Sequence, residues 1–121
     1  MSWQFNRTEA VFLQIEKRLK LDILKGKYPS DSQFPSVRQL AFEAAVNPNT
    51  MQKALSLLEE EGLLYSKGTA GRFVTADASI LKKGKEDMRR ELIVALLSQA
   101  RELGISDKEL IEYIETEGNH V

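Results

Sequence analysis

Two helix-start signals stand close together in this chain. Ser36-Val37-Arg38-Gln39 has the S-x-x-Q form of a capping box, in which Ser36 and Gln39 satisfy each other's backbone N–H groups. Asn47-Pro48 follows: Asn is a favoured N-cap, and Pro at the first helical position loses no hydrogen bond. The first helix, with Val37, Leu40 and Ala41 on its apolar face, must therefore stop near Ala44, just before Val46. A short helix, a tight connection and a second helix are all that this stretch allows. In the second helix Met51, Ala54, Leu55 and Leu58 follow the i, i+3, i+4, i+7 pattern, and Gly62 ends it.

The flanking segments extend the pattern. Before it, Val11, Ile15, Leu19 and Ile23 recur every fourth position with Phe12 alongside, the face of an amphipathic helix over about 8–25 that Gly26 stops. Residues 27–35, with Pro29, Ser30, Asp31, Ser32 and Pro35, read as a loop. After it, Leu63-Leu64-Tyr65 and Arg72-Phe73-Val74-Thr75 are β-prone and bracket a two-glycine hairpin loop at 66–71. A long helix over about 78–103 carries Met88, Leu92, Ala95, Leu96, Gln99 and Leu103 along one face, with Ile93, Leu97 and Ala100 beyond it. Gly104 breaks it, and Ser106-Asp107-Lys108-Glu109 opens a last helix with Leu110, Ile111 and Ile114 expected inward. The fold class is mainly α with a small β-hairpin: a winged helix-turn-helix over 8–75, then a two-helix dimerisation tail over 76–121. The length of 121 residues suits one compact domain with an extension.

The chemistry sits on the third helix. At about 100° per residue, Asn49, Gln52, Lys53 and Ser56 share one sector, opposite the apolar one. Amides pair bidentately with adenine, and Lys donates to guanine or phosphate. Arg38 lies beside the outward N–H groups that open helix 2, suited to a phosphate. Lys67 and Arg72 bracket Gly68 and Gly71, so the hairpin backbone can approach a groove with cations at its edges. A solvated amphipathic helix and an ordinary turn are the plain alternatives; the flanks together favour DNA. A phosphate-binding nucleotide loop is disfavoured, because G-x-x-x-x-G-K-[ST] is absent.

Phe34-Pro35-Ser36-Val37-Arg38-Gln39-Leu40-Ala41, Val46-Asn47-Pro48-Asn49-Thr50-Met51-Gln52-Lys53-Ala54-Leu55, Leu58-Glu59-Glu60-Glu61-Gly62-Leu63-Leu64 and Gly71-Arg72-Phe73-Val74 resemble, in order and spacing, the GntR family of bacterial transcription regulators. Phe12-Leu13-Gln14-Ile15 is similar to the family's opening. The resemblance spans about 11–74. It implies a winged helix that binds operator DNA as a two-fold dimer, with Arg38 near the backbone, the first turns of helix 3 on bases and the hairpin glycines at the minor groove. The DNA-binding set is thus Ser36, Arg38, Asn47, Asn49, Thr50, Gln52, Lys53, Lys67, Gly68, Gly71 and Arg72. Thr50 has the alternative of bonding its own helix end. Pro48 and Gln52 stand where many members carry Arg, and the hairpin tip is one residue longer than the usual one, so the operator should differ from that of Arg-bearing members. A tail this short looks like the YtrA-type subfamily, where it mainly makes the dimer. The physical reading agrees: the long helix has more apolar surface than a lone helix can hide, and a symmetry mate is the simplest cover.

Charge and composition set the exclusions. Net charge is -1, which excludes a uniform polycation. Residues 1–29 sum to +3, 30–75 to -1 and 76–121 to -3, so the cations lie in front and the acids in the tail. Non-specific DNA affinity should be modest, with dimerisation adding two half-sites. There is no cysteine and one histidine, His120, so no thiol nucleophile, disulfide or multi-histidine metal site is expected. No cofactor or catalytic residue is indicated; Glu59-Glu60-Glu61 reads as a solvated helix end. No bilayer-length apolar run or signal-peptide core occurs, and a cytoplasmic protein is expected. The expected function is sequence-specific transcription regulation by repression, with a winged-helix protein-interaction module as the alternative. A small-molecule effector is possible, but no residues announce one.

Overall fold

A computed structural model describes residues 3–121. The order is α1 (Val11–Leu24), α2 (Val37–Ala44), α3 (Pro48–Glu60), β1 (Leu64–Ser66), a 3-10 turn (Gly68–Ala70), β2 (Arg72–Val74), α4 (Ala78–Glu102) and α5 (Asp107–Gly118). This is a winged helix-turn-helix followed by a two-helix tail. The compact units are Met1–Lys83 and Gly84–Val121. They divide inside α4. The physical reason is local. Gly62 adopts φ +80°, a left-handed conformation that suits glycine, and a Cβ there would stand 3.1 Å from Ile80 Cδ1. Ile80, in the first turn of α4, thus stands against the glycine that ends α3.

In the first unit α1 and α2 both pack on α3, and the hairpin closes one side. Ile15, Leu19, Leu40, Met51, Leu55, Leu58, Leu63, Leu64 and Val74 are fully buried, so the every-fourth-residue stripe of α1 meets the apolar sector of α3. Ser36 caps α2, its Oγ accepting the Gln39 N–H at 3.1 Å. Only half of the expected box forms: the Gln39 side-chain amide donates forward to Glu43 at 3.4 Å, an i, i+4 contact on the helix surface. Between α2 and α3, Ala45 takes the left-handed conformation at φ +56°, and the Val46 N–H reaches back to the Ala41 carbonyl at 3.0 Å. That reversal makes the connection tight. Asn47 then caps α3, its Oδ1 accepting the Asn49 N–H at 2.7 Å, with Pro48 in the first turn.

β1 and β2 pair antiparallel with Leu64 opposite Val74, Tyr65 opposite Phe73 and Ser66 opposite Arg72. The stretch read as a loop does more than connect. Asp31 and Phe34 donate their N–H groups to the Val74 and Arg72 carbonyls at 2.8 Å each, and Gln33 bridges to Phe73. An exposed hairpin edge offers unpaired donors and acceptors, and this segment satisfies them.

The second unit holds the rest of α4 and α5. Here the capping box is complete: Ser106 Oγ accepts the Glu109 N–H at 3.1 Å, and Glu109 returns an acceptor to the Ser106 N–H at 3.3 Å. Burial differs from expectation. Leu110 is half-buried, but Ile111 is 58% and Ile114 51% exposed. Two helices can cover only one flank of each other, so an apolar face wider than that flank stays in solvent.

Candidate nucleic-acid interface

The exposed side of α3 carries the expected strip. Asn49, Gln52 and Lys53 are exposed, while Thr50 and Ser56 are half-buried. Gln52 Nε2 lies 3.5 Å from Ser56 Oγ, so its amide runs along the helix surface. The Lys53 ammonium stands 5.2 Å from the centre of the Phe12 ring, which holds its stem beside α1 while its charge stays outside. Asn47 commits its carbonyl oxygen to the cap and keeps its NH₂ outward.

Arg38, in the first turn of α2, is exposed and forms no ion pair among the described residues. Its neighbour Ser36 faces the hairpin across a cleft of about 350 Å³, with Pro35, Ser36 and Val37 on one wall and Gly68, Gly71 and Arg72 on the other. The start of α2 and the wing thus share one recess, where the N–H groups of a helix start and glycine backbone are both accessible. At the wing tip the extra residue is absorbed by the 3-10 turn: Lys67 donates its N–H to the Gly71 carbonyl at 2.8 Å, and Ala70 donates to Lys67 at 3.0 Å. Gly71 at φ +94° and ψ -155° occupies a region that only glycine enters readily. Gln33 Nε2 holds the tip from the side, donating to the Ala70 carbonyl at 2.8 Å. Lys67 is exposed, with its ammonium 5.2 Å from the Phe73 ring centre.

Several side-chain partners were not visible in the sequence. The Arg72 guanidinium, expected at a groove edge, pairs through Nε with Glu59. Glu59 also accepts the Ser66 hydroxyl at 3.0 Å, and Glu61 pairs with Lys20 at 2.9 Å. Glu60 and Glu61 are exposed, as a solvated helix end requires, whereas Glu59 is half-buried against the hairpin. Ion pairs between segments far apart in sequence leave no local signal. Tyr65 donates to Asp31 at 2.9 Å, and that hydrogen bond raises the phenol above its ordinary pKa.

Of the tail positions, Met88 is half-buried, Leu92 is 69% exposed and Leu103 79% exposed; Ala95, Leu96 and Gln99 are exposed too. Among the described residues no group of three His, Cys, Asp or Glu side chains is placed to hold a metal ion, and no helix is long and apolar enough to cross a membrane.

The family profile "Bacterial regulatory proteins, gntR family" matches residues 12–74, from the start of α1 to the end of the wing. The HTH-type transcriptional regulator YhcF of Bacillus subtilis is 30% identical over 116 residues, covering 96% of each chain. The HTH-type transcriptional repressor YtrA of the same organism is 33% identical over 105 residues, covering 86% of this chain and 81% of its own. A GntR family transcriptional regulator from Listeria monocytogenes superposes with TM-score 0.86 at 28% identity, over 93% of this chain and 98% of its own. The matched blocks are those that build α2, α3 and the wing, and two of these relatives extend through the tail. The chain belongs to the gntR family of bacterial regulatory proteins, in its YtrA-type branch of DNA-binding transcription regulators.

Proposed function

We propose that the protein is a cytoplasmic repressor that binds a two-fold operator as a homodimer and acts by occluding the promoter. The observation that carries this reading is the exposed strip of Asn49, Gln52 and Lys53 on α3, flanked by Arg38 at the start of α2 and by the glycine-bearing wing. Residues 8–75 supply the DNA surface. Arg38, Ser36 and Lys67 meet the backbone, Asn47, Asn49, Thr50, Gln52 and Lys53 meet base edges or adjoining phosphates, and Gly68 and Gly71 allow the wing into the minor groove. Residues 76–121 supply the dimer through Met88, Leu92, Ala95, Leu96, Gln99 and Leu103. The support is the exposure of Leu92, Ala95, Leu96, Gln99 and Leu103 on a helix with a wide apolar face, and the repressor name of the Bacillus subtilis relative.

The test is an anisotropy titration on the promoter of the protein's own operon. Specific binding should show two half-sites with centres one helical turn, about 34–36 Å, or a multiple of it apart. Arg38→Ala should weaken binding on every sequence and lower the salt slope by about 1 per half-site. Gln52→Ala should instead change the preferred base, with a discrimination loss of about 1–3 kcal/mol at one position. Parent-like binding by both variants would remove this surface from the reading.

A further inference from the structure

The wing is small. Each strand has three residues, and a two-stranded hairpin of that size is marginal without outside anchors. One anchor reaches it from the reading helix itself. Glu59 stands in the last turn of α3, where the negative end of the helix dipole disfavours a carboxylate. One of its oxygens, Oε1, accepts both the Ser66 hydroxyl, at 3.0 Å, and Arg72 Nε. Ser66 and Arg72 face each other across the last rung before the tip, so a single carboxylate oxygen holds both strands at once. The pair is partly shielded, with the Arg72 side chain 18% and the Glu59 side chain 31% exposed. Gln33, on the Ala70 carbonyl, steadies the tip from the other direction.

We propose that Glu59 is a positioning residue for DNA recognition: through Ser66 and Arg72 it locks the wing to α3, and Arg72 serves this clamp in place of a phosphate contact. The proposal rests on the operator-binding reading above. A protein that uses α3 and a wing on one duplex needs a fixed angle between them, because misplacing either by about 1 Å costs the contacts of the other. A guanidinium paired to a carboxylate also adds nothing to the count of neutralised phosphates, so its removal should leave the salt slope untouched.

The chain contains no cysteine, so Thr69→Cys gives a single attachment point at the wing tip for a nitroxide spin label. In the labelled full chain without DNA, Glu59→Gln and Arg72→Ala should each increase label mobility. The exchanged pair, Glu59→Arg with Arg72→Glu, should restore mobility toward the parent value. On DNA, without the label, Arg72→Ala and Glu59→Gln should each lower the specific-to-non-specific affinity ratio about tenfold. The double variant Glu59→Gln with Arg72→Ala should lose no more than the worse single one. The salt slope of Arg72→Ala should equal the parent's. A slope lower by about 0.9 per half-site would make Arg72 a phosphate contact and overturn the clamp; unchanged label mobility in the single variants would overturn it as well. Absence of specific binding by the parent would instead sink the operator reading, an outcome separable from the mobility result.

Discussion

Helices α3 and α4 are both amphipathic, and they use their apolar faces in opposite ways. α3 has 13 residues and buries Met51, Ala54, Leu55 and Leu58, every one of its apolar sector. α4 has 25 residues and buries only Gly84 and Ala100. Leu92, Ile93 and Val94 remain 69%, 48% and 58% exposed. The difference lies in the neighbours. α3 is enclosed by α1, α2 and β1, whereas the α4 face meets nothing of comparable area within its own unit. Contiguous exposed apolar surface of this kind marks an interaction face. A helix that finishes its packing within the chain can devote its other side to a ligand; a helix that does not finish is itself the binding surface. That contrast underlies the division of labour proposed here, with α3 for DNA and α4 for a second copy.

The contrast breaks most visibly by truncating one leucine on each side. Leu55→Ala opens a cavity in a side chain with no exposed surface, and should cost about 3 kcal/mol in urea denaturation. Leu92→Ala, on the exposed face, should change the stability of a dissociated chain by less than about 0.5 kcal/mol. Equal losses at both sites in dilute solution would mean that α4 is already covered within the chain.

Leu92→Arg sharpens the same point. A guanidinium on the apolar face should leave the winged helix folded and halve the mass measured by light scattering. Losing the partner removes the second half-site's effective concentration, so operator affinity should fall by about 100-fold. A monomeric variant with parent-like operator affinity would separate the tail from DNA binding altogether.

These two leucines also show what sequence carries and what it does not. The caps at Ser36, Asn47 and Ser106 were legible because a cap is a bond between residues two or three apart. The burial of Met51, Ala54, Leu55 and Leu58 was legible because spacing alone assigns a face. Inward placement of Ile111 and Ile114 was misread, since periodicity identifies an apolar face without saying whether the same chain covers it. At the candidate site the α3 strip was legible for the same periodic reason. The Glu59–Arg72 pair and the Gln33 brace were not, because they join a helix end or a loop to a strand far along the chain. Phe42, at 87% exposure on α2, is the opposite case: an apolar residue that falls outside the stripe and stays largely in solvent.

A smaller effect tests the connection inside the helix-turn-helix. Ala45 holds φ +56°, a conformation that costs an L residue about 1–2 kcal/mol. Ala45→Gly relieves this strain and gives back part of it by loosening the unfolded chain. The net should be a stabilisation of about 0.5–1 kcal/mol, read as a rise in the urea midpoint with an unchanged m-value. Destabilisation would mean that the methyl group contributes packing at the turn.

The smallest effect belongs to the tail, at the corner between α4 and α5. Arg101 donates through NH2 to Asp107 at 3.1 Å, and its guanidinium holds the Asp107 carboxyl below the ordinary value of 3.8 through the hydrogen bond and through charge. A carboxyl whose pKa is depressed on folding stabilises the folded state above its unfolded pKa, and that contribution disappears as pH falls through the folded one. The same contact raises the Arg101 guanidinium above its ordinary value and places the opposite limit far into alkali. The pair should therefore act uniformly from about pH 5 to pH 10 and vanish in acid. Both groups are fully exposed, so the stability change on Arg101→Ala should be slight and should shrink further in high salt. The sensitive readout is the carboxyl itself. An NMR titration should find the Asp107 midpoint rising toward its ordinary value in Arg101→Ala, whereas identical midpoints in parent and variant would show that the pair does not form in solution. Because Asp107 opens α5 beside the Ser106–Glu109 box, a shifted midpoint without loss of α5 amide protection would show that the box alone starts that helix. The tail corner would then be fixed locally, leaving its apolar face as the part that needs a partner.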